Sequence, residues 1–333
     1  MSLGEFELIA KYFTRPSQSE HTLLGPGDDA AIVHVPEGHR LVVSVDTLVE
    51  SVHYPKGAPA DLIARRALRV NLSDMAAMAA TPRWFTLGLT LPDAQPSWLE
   101  RFSHGLYQDA DAFGCELIGG DTTQGPESLS ITIMGTVAAD SSPLQRNGAT
   151  PGDLLVVTGS LGDARGALNY LSSQDNDTSL NTSTDPNSTG PNIDVLLQRY
   201  WLPTPRTAFA LEAHPFINAA CDISDGLLAD VGHICRASQL SVAVRAAQVP
   251  ISNVLATLCS ERAQEFALTG GDDYELCMAV SPDNIAALHA IAARHDVWLT
   301  VLGEFRESAE PTVECVDEQG GIVAHPKTGY RHF

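Results

Sequence analysis

The chain has 333 residues, 44% of them hydrophobic, which at this length allows a sizeable core and suggests two domains. A formal net charge of −21, with Lys11, Lys56 and Lys327 the only lysines, leaves none of the clustered cations that a nucleic-acid partner requires. Six cysteines without a CxxC pair exclude a zinc site and a disulfide scaffold, and no stretch approaches the roughly 18 apolar residues that span a bilayer, so a cytoplasmic protein is expected.

The first 13 residues place charges inside their apolar stretch and lack the cleavage pattern of a signal peptide. Leu41 to Val45 reads as a buried strand, Ala60 to Ala80 as an Ala-rich helix stopping before Pro82, and Thr86 to Leu91 as a strand. A helix over Ser97 to Phe113 leads into the short strand Cys115 to Gly119, and Leu129 to Val137 alternates as a further strand. These elements define a mixed α/β domain over residues 1–147, closed by the turn formers of Gly148 to Gly152.

Residues 148–333 form the second domain. Leu154 to Thr158 reads as a strand, Gly159 to Gly162 as a turn and Asp163 to Leu171 as a helix, followed by a Ser/Asn/Asp/Thr-rich insertion over 172–191 that is expected to be disordered. Helices follow over Ile193 to Tyr200, Ala208 to Glu212 and the segment after Asp225, with later strands at Tyr274 to Val280 and Trp298 to Val301.

Six places set an aspartate against glycine or serine, or at a strand end. They are Gly27-Asp28-Asp29, Ser44-Val45-Asp46, Ser73-Asp74, Gly119-Gly120-Asp121, Asp222-Ile223-Ser224-Asp225 and Gly270-Gly271-Asp272-Asp273. Strand-to-helix turns are where α/β proteins build ligand sites, because glycine admits the ligand and free N–H groups point at it. Aspartates there would repel a phosphate unless a hard, oxygen-loving cation such as Mg2+ stands between. Each pair alone is as well explained by helix capping; the number of turns shifts the balance.

The common nucleotide signatures are absent. No G-x-x-x-x-G-K-[ST] occurs, and Gly25-Pro-Gly27-Asp-Asp-Ala30, which fits G-x-G-x-x-A, follows no apolar strand and carries two aspartates at its centre. Zinc-protease, EF-hand and G-x-S-x-G patterns are absent as well. Phosphate neutralisation therefore falls to metal and arginine, with Arg146 a candidate.

Taken in order, Gly4-Glu5-Phe6-Glu7-Leu8-Ile9-Ala10, Gly27-Asp28-Asp29, Val45-Asp46-Thr47-Leu48-Val49, Asn71-Leu72-Ser73-Asp74, Gly119-Gly120-Asp121-Thr122-Thr123, Asp222-Ile223-Ser224-Asp225-Gly226 and Asp273-Tyr274-Glu275-Leu276 resemble the thiamine-monophosphate kinase family. The resemblance runs from Gly4 to Tyr330. It implies a two-domain fold like aminoimidazole-ribonucleotide synthetase, α/β (α+β) with mixed sheets packed by helices. It also implies a homodimer through the N-terminal domains, and Mg2+-dependent transfer of the ATP γ-phosphoryl group to thiamine monophosphate without a protein nucleophile.

Carried over by position, the resemblance makes Asp29, Ser44, Val45 (through its carbonyl), Asp46, Asp74, Asp121, Asp222 and Asp225 metal ligands. Gly120, Asp121, Arg146 and Ser224 become nucleotide contacts, and His53, Asp272 and Tyr330 contacts to thiamine monophosphate. Asp272 stands where the family usually has glutamate, one methylene longer. Two other readings compete: a different ATP-dependent enzyme of the same superfamily, and an acidic protein that only binds divalent cations. The first cysteine at Cys115 and the terminal Tyr330-Arg-His-Phe weigh against the relatives that need cysteines near the chain ends.

Overall fold

The structure, a computed structural model, describes residues 4–174, 192–323 and 329. Tyr330 and residues 175–191 lie outside these. Two compact units divide the chain: residues up to Met75 with Ala79–Pro143, and Ala76–Met78 with everything from Leu144. Arg146 thus belongs to the second unit.

The first unit begins with α1 (Glu5–Tyr12) and the small hairpin β1 (Thr22–Leu24) and β2 (Ile32–Val33). It continues through β3 (His39–Val49), α2 (Ala60–Ala77), β4 (Thr81–Leu91), α3 (Pro96–Phe113), β5 (Glu116–Gln124) and β6 (Ser128–Ala138). The four longer strands form a sheet in the order β3-β6-β4-β5, antiparallel except for β4 and β5, which α3 joins as a parallel crossover. The strand expected from Thr86 begins earlier, at Thr81, and so includes Pro82. Proline lacks an N–H, and Pro82 pairs only with β6, before β5 begins and where the register shifts between Pro82 and Trp84.

Trp84, Phe85, Leu68, Leu72, Met75 and Phe102 are fully buried and make the core of this unit. Two features fix α2 against α3. A Cβ on Gly105 would lie 2.5 Å from the Asp61 carbonyl oxygen, so only glycine permits the approach. The buried Asp109 of α3 accepts from Arg65 at 3.0 Å and Arg69 at 2.6 Å on α2.

The second unit comprises β7 (Leu154–Thr158), α4 (Asp163–Gln174), α5 (Asp194–Trp201), α6 (Thr207–Ala213), β8 (Ala219–Asp222), α7 (Leu227–Ser238) and β9 (Leu240–Arg245). It is completed by α8 (Asn253–Cys259), α9 (Ala263–Thr269), β10 (Leu276–Val280), α10 (Ile285–Arg294), β11 (Leu299–Glu307) and β12 (Val313–Val316). Its sheet has the order β12-β9-β11-β7-β10-β8, antiparallel apart from β12 beside β9. Leu155, Val157, Val231, Ile234, Val242, Cys277 and Phe305 lie in one buried cluster.

Two expectations are corrected. Ser172 to Gln174, assigned to the insertion, continue α4, because serine is only mildly unfavourable in a helix that has already formed. The strand expected from Tyr274 starts at Leu276, because Tyr274 has φ 50° and cannot enter a ladder. Among the described residues all six cysteines are free thiols, and no helix is long and apolar enough to cross a membrane.

Candidate active site

In the first unit, regular structure places the acidic residues. Along β3 the residues alternate between the two faces of the sheet, so Ser44 and Asp46 share the half-buried face while Leu41, Val43 and Val45 share the exposed one. Asn71 and Asp74, three apart, share a face of α2. The Ser44 hydroxyl donates to Asp74 Oδ2 at 2.6 Å, and the Asp46 N–H donates to Asn71 Oδ1 at 3.1 Å. Asn71 is itself fixed, its amide donating to the Ala67 carbonyl at 2.9 Å. The result is an all-oxygen set of hard donors at one edge of the sheet. That donor chemistry fits Mg2+ and not a soft metal.

Asp121 is not beside them. Thr47, Ser130, Gly88 and Asp121 pair in one row across the sheet, which puts Asp121 three strand spacings away, about 14 Å. Directly paired residues point the same way, so Asp121 shares the face of Thr47 and opposes that of Asp46. Gly120, with φ 154°, is demanded there: a Cβ would meet the Leu87 carbonyl oxygen at 1.9 Å. Asp29 lies in the exposed loop between β1 and β2, its N–H bonded to Asp28 Oδ1 at 2.8 Å. His53, after β3, accepts the Val49 N–H on Nδ1 at 3.0 Å. A backbone N–H can only donate, so the neutral imidazole carries its proton on Nε2.

In the second unit, turns do this work. Asp222 ends β8, and the chain bends through Ser224, Asp225 and Gly226 into α7. Gly226 has φ 123°, and a Cβ there would lie 2.8 Å from Thr269. The buried Asp230, in the first turn of α7, reaches back and accepts the N–H groups of Ser224, Asp225 and Gly226 on Oδ2, each at 3.0 Å. Burial and the neighbouring Asp225 charge push Asp230 up to about 7. Arg146 is drawn toward the same place. Burial works to lower its guanidinium, but Cys221, Asp222 and Asp230 outweigh it and hold it above its ordinary value.

The turn at Gly270 to Glu275 is hydrogen-bonded to this one. Asp272 N–H donates to the Ser224 carbonyl and Tyr274 N–H to the Ile223 carbonyl, both at 2.9 Å, while Ile223 N–H returns to the Glu275 carbonyl at 2.8 Å. Glu275, 1% exposed, accepts from Arg199 at 2.6 Å, from Arg206 at 2.5 Å and from the Thr158 hydroxyl at 2.6 Å. Burial would raise it; the two arginines outweigh that and hold it below its usual value.

Residues 27–138 match the family described as AIR synthase related protein, N-terminal domain, and residues 150–316 match its C-terminal domain. The chain is 40% identical over 336 residues to thiamine-monophosphate kinase of Escherichia coli strain K12, covering 100% of this chain and 99% of that protein. The crystal structure of thiamine-monophosphate kinase from Stenotrophomonas maltophilia K279a is 41% identical, with a TM-score of 0.84 over 97% of this chain and 99% of that one. This chain belongs to the thiamine-monophosphate kinase family. The structure of AaThiL complexed with AMPPCP and TMP, 28% identical, superposes with a TM-score of 0.75 over 92% of this chain and 91% of that chain.

Against the family pattern, the structure groups Ser44, Asp46 and Asp74 in one unit, and Arg146, Asp222, Ser224, Asp225 and Asp272 in the other. The Gly120–Asp121 pair stands across the sheet from the first group, Asp29 and His53 lie in the segments after β1 and β3, and Tyr330 lies outside the described residues. Sequence reasoning missed Asp230 and His233. Ligand atoms of Asp225, Asp230 and His233 lie within 4.8 Å of one another. The signal was present in the chain: Asp230 and His233 are three apart on α7, so one helix face carries both. His233 is lowered by burial and by the nearby Arg146 and Arg236 cations.

The first unit also holds a cavity of about 660 Å³ lined by Arg15, His21, Arg83, Tyr107, Asp111 and Glu116. Several of its polar groups serve one another. Arg15 pairs with Asp111 at 2.5 Å, and Glu116 binds Ser17, Gln18 and Thr22. These bonds fasten the segment before β1 to the sheet and account for the polarity of the cavity.

Proposed function

We propose that this chain transfers the γ-phosphoryl group of ATP to thiamine monophosphate, giving thiamine diphosphate and ADP. The observation that carries the reading is the full-length relationship to thiamine-monophosphate kinase at 40% identity. The likeness to AaThiL complexed with AMPPCP and TMP adds the ligand classes, an ATP analogue and a thiamine phosphate.

A phosphate oxygen of thiamine monophosphate attacks the γ-phosphorus in line, and the bond to the β,γ-bridging oxygen breaks, ADP leaving with the electron pair. The acceptor is already an anionic oxygen, so no protein nucleophile or strong base is required; positioning and charge neutralisation do the work. Mg2+ supplies the neutralisation when bound. We assign the ligands of several Mg2+ ions to Asp29, Ser44, Val45, Asp46, Asp74, Asp121, Asp222 and Asp225, with Asp121 serving a different ion from Ser44, Asp46 and Asp74. In β3, an edge strand, the carbonyls on the outer side lie beyond the ladder, which suits the role given to Val45.

Arg146 offers a bidentate donor to nucleotide phosphate, with Gly120 and Ser224 as backbone and hydroxyl contacts. His53 presents Nε2–H to an anionic oxygen. Asp272 and Tyr330 give the thiazolium cation a carboxylate and an aromatic ring. A homodimer in the cytoplasm is the expected state, and the exposed row of Leu41, Val43 and Val45 along β3 supports pairing of N-terminal units.

The test is a coupled assay of the purified chain with ATP, Mg2+ and thiamine monophosphate. Thiamine diphosphate and ADP in equal amounts are expected, and turnover should vanish when EDTA exceeds the metal. ADP formed without thiamine diphosphate would overturn the acceptor assignment.

A further inference from the structure

Four consecutive residues, Asp272 to Glu275, divide into two that are anchored and two that are displayed. Asp273 and Glu275 are buried, whereas Asp272 and Tyr274 remain half-buried. The anchors are strong: Asp273 Oδ2 accepts the Gly162 N–H at 2.8 Å, and Glu275 is clamped by Arg199 and Arg206. The displayed residues are both left-handed, with φ 72° at Asp272 and 50° at Tyr274. Neither is glycine, and a bulky aromatic in this conformation is rare. Such strain survives only where the surroundings over-determine it, and it gathers at functional sites.

This backbone brings the two displayed side chains together. The Tyr274 hydroxyl donates to Asp272 Oδ1 at 3.2 Å. Asp272 has one methylene less than the glutamate usual at this position in the family, so its carboxylate has less reach and its orientation matters more.

We propose that Tyr274 is a positioning residue for thiamine monophosphate, its hydroxyl fixing the Asp272 carboxylate that meets the substrate cation. The phenol acts as a hydrogen-bond donor and not as the counter-charge; it sets the plane and rotamer of the group that is. Asp273 and Glu275 hold the left-handed turn that makes the contact. The proposal rests on the activity stated above and on Asp272 as a substrate contact.

Steady-state kinetics of the full-length enzyme test it with Tyr274→Phe, Asp272→Asn and the double variant. Tyr274→Phe keeps the ring and should raise KM for thiamine monophosphate about tenfold, the worth of one hydrogen bond to a charged group. The kcat and the KM for ATP should stay within about twofold, because binding before chemistry is what changes. In the double variant the tyrosine change should add nothing to Asp272→Asn, as expected for two residues acting through one contact. Calorimetric binding of thiamine monophosphate in the absence of ATP gives a second reading of the same loss. An unchanged KM in Tyr274→Phe, or effects of the two substitutions that multiply, would overturn the role of Tyr274 while leaving the activity intact. A wild-type enzyme that makes no thiamine diphosphate would overturn both.

Discussion

The two units hold their acidic groups by opposite means. In the first, Ser44, Asp46 and Asp74 project from the interior of a regular strand and a regular helix, and the buried ion pairs that fix that helix use Arg65, Arg69 and Asp109 instead of these residues. In the second, Asp225 and Asp272 sit on turns, and Asp222 at the strand end leading into one, whose conformation is dictated by buried polar anchors: Asp230 under one turn, Asp273 and Glu275 under the other. Function and stability are therefore separable in the first unit and entangled in the second.

The sharpest way to break this contrast is Asp46→Asn. It preserves the shape of the side chain and the backbone bond to Asn71, and removes one formal charge from a proposed metal ligand. Turnover should fall about 10³-fold, several kcal/mol of transition-state stabilisation, with circular dichroism and melting unchanged. An unfolded Asp46→Asn protein would show that the first unit is entangled too.

In the second unit, Glu275→Leu should cost about 3–5 kcal/mol in urea unfolding, because Arg199 and Arg206 lose the carboxylate that compensates them. Asp230→Ala comes next. It abandons the N–H groups of Ser224, Asp225 and Gly226, and a loss of about 2–3 kcal/mol is expected together with weaker Mg2+ binding. Loss of metal binding at unchanged stability would mean that the turn keeps its shape without Asp230.

The same division governs what could be read from the chain. Strand and helix of the first unit carry their own periodicity, so Leu41 to Val45 and Ala60 to Ala80 were found within a few residues of their true extent. Pairing order is not in that signal. Only the register of β3, β6, β4 and β5 reveals that Asp121 faces away from Asp46. In the second unit β8, β9, β12, α8, α9 and α10 went unplaced, being short, apolar and set by tertiary packing more than by pattern. The turns were legible as motifs because glycine marks them. Their anchors were not, since a buried aspartate and an exposed one look alike until the fold says which way alternate residues point.

The smallest expected effect separates two adjacent anchors that look equivalent in the chain. Asp273, 3% exposed, is raised well above the usual carboxylate range, first by burial, and bonded backbone from Gly162 only partly offsets this. Its folded-state pKa exceeds the unfolded value, so its contribution is complete below the unfolded value and is lost as pH rises through the folded one. Glu275 is depressed, so its contribution is present above the unfolded value and is lost as pH falls through the folded one. The two anchors therefore give opposite slopes to stability. Asp273→Asn copies the neutral acid. It should leave stability near neutral pH equal to the wild type or up to about 1 kcal/mol higher, and remove the decline with rising pH that Asp273 causes. Urea midpoints measured across the range above the usual carboxylate pKa would check this. A variant markedly less stable than wild type at neutral pH would show that Asp273 is held as an anion, its charge balanced by Arg199, and that both anchors are ionic.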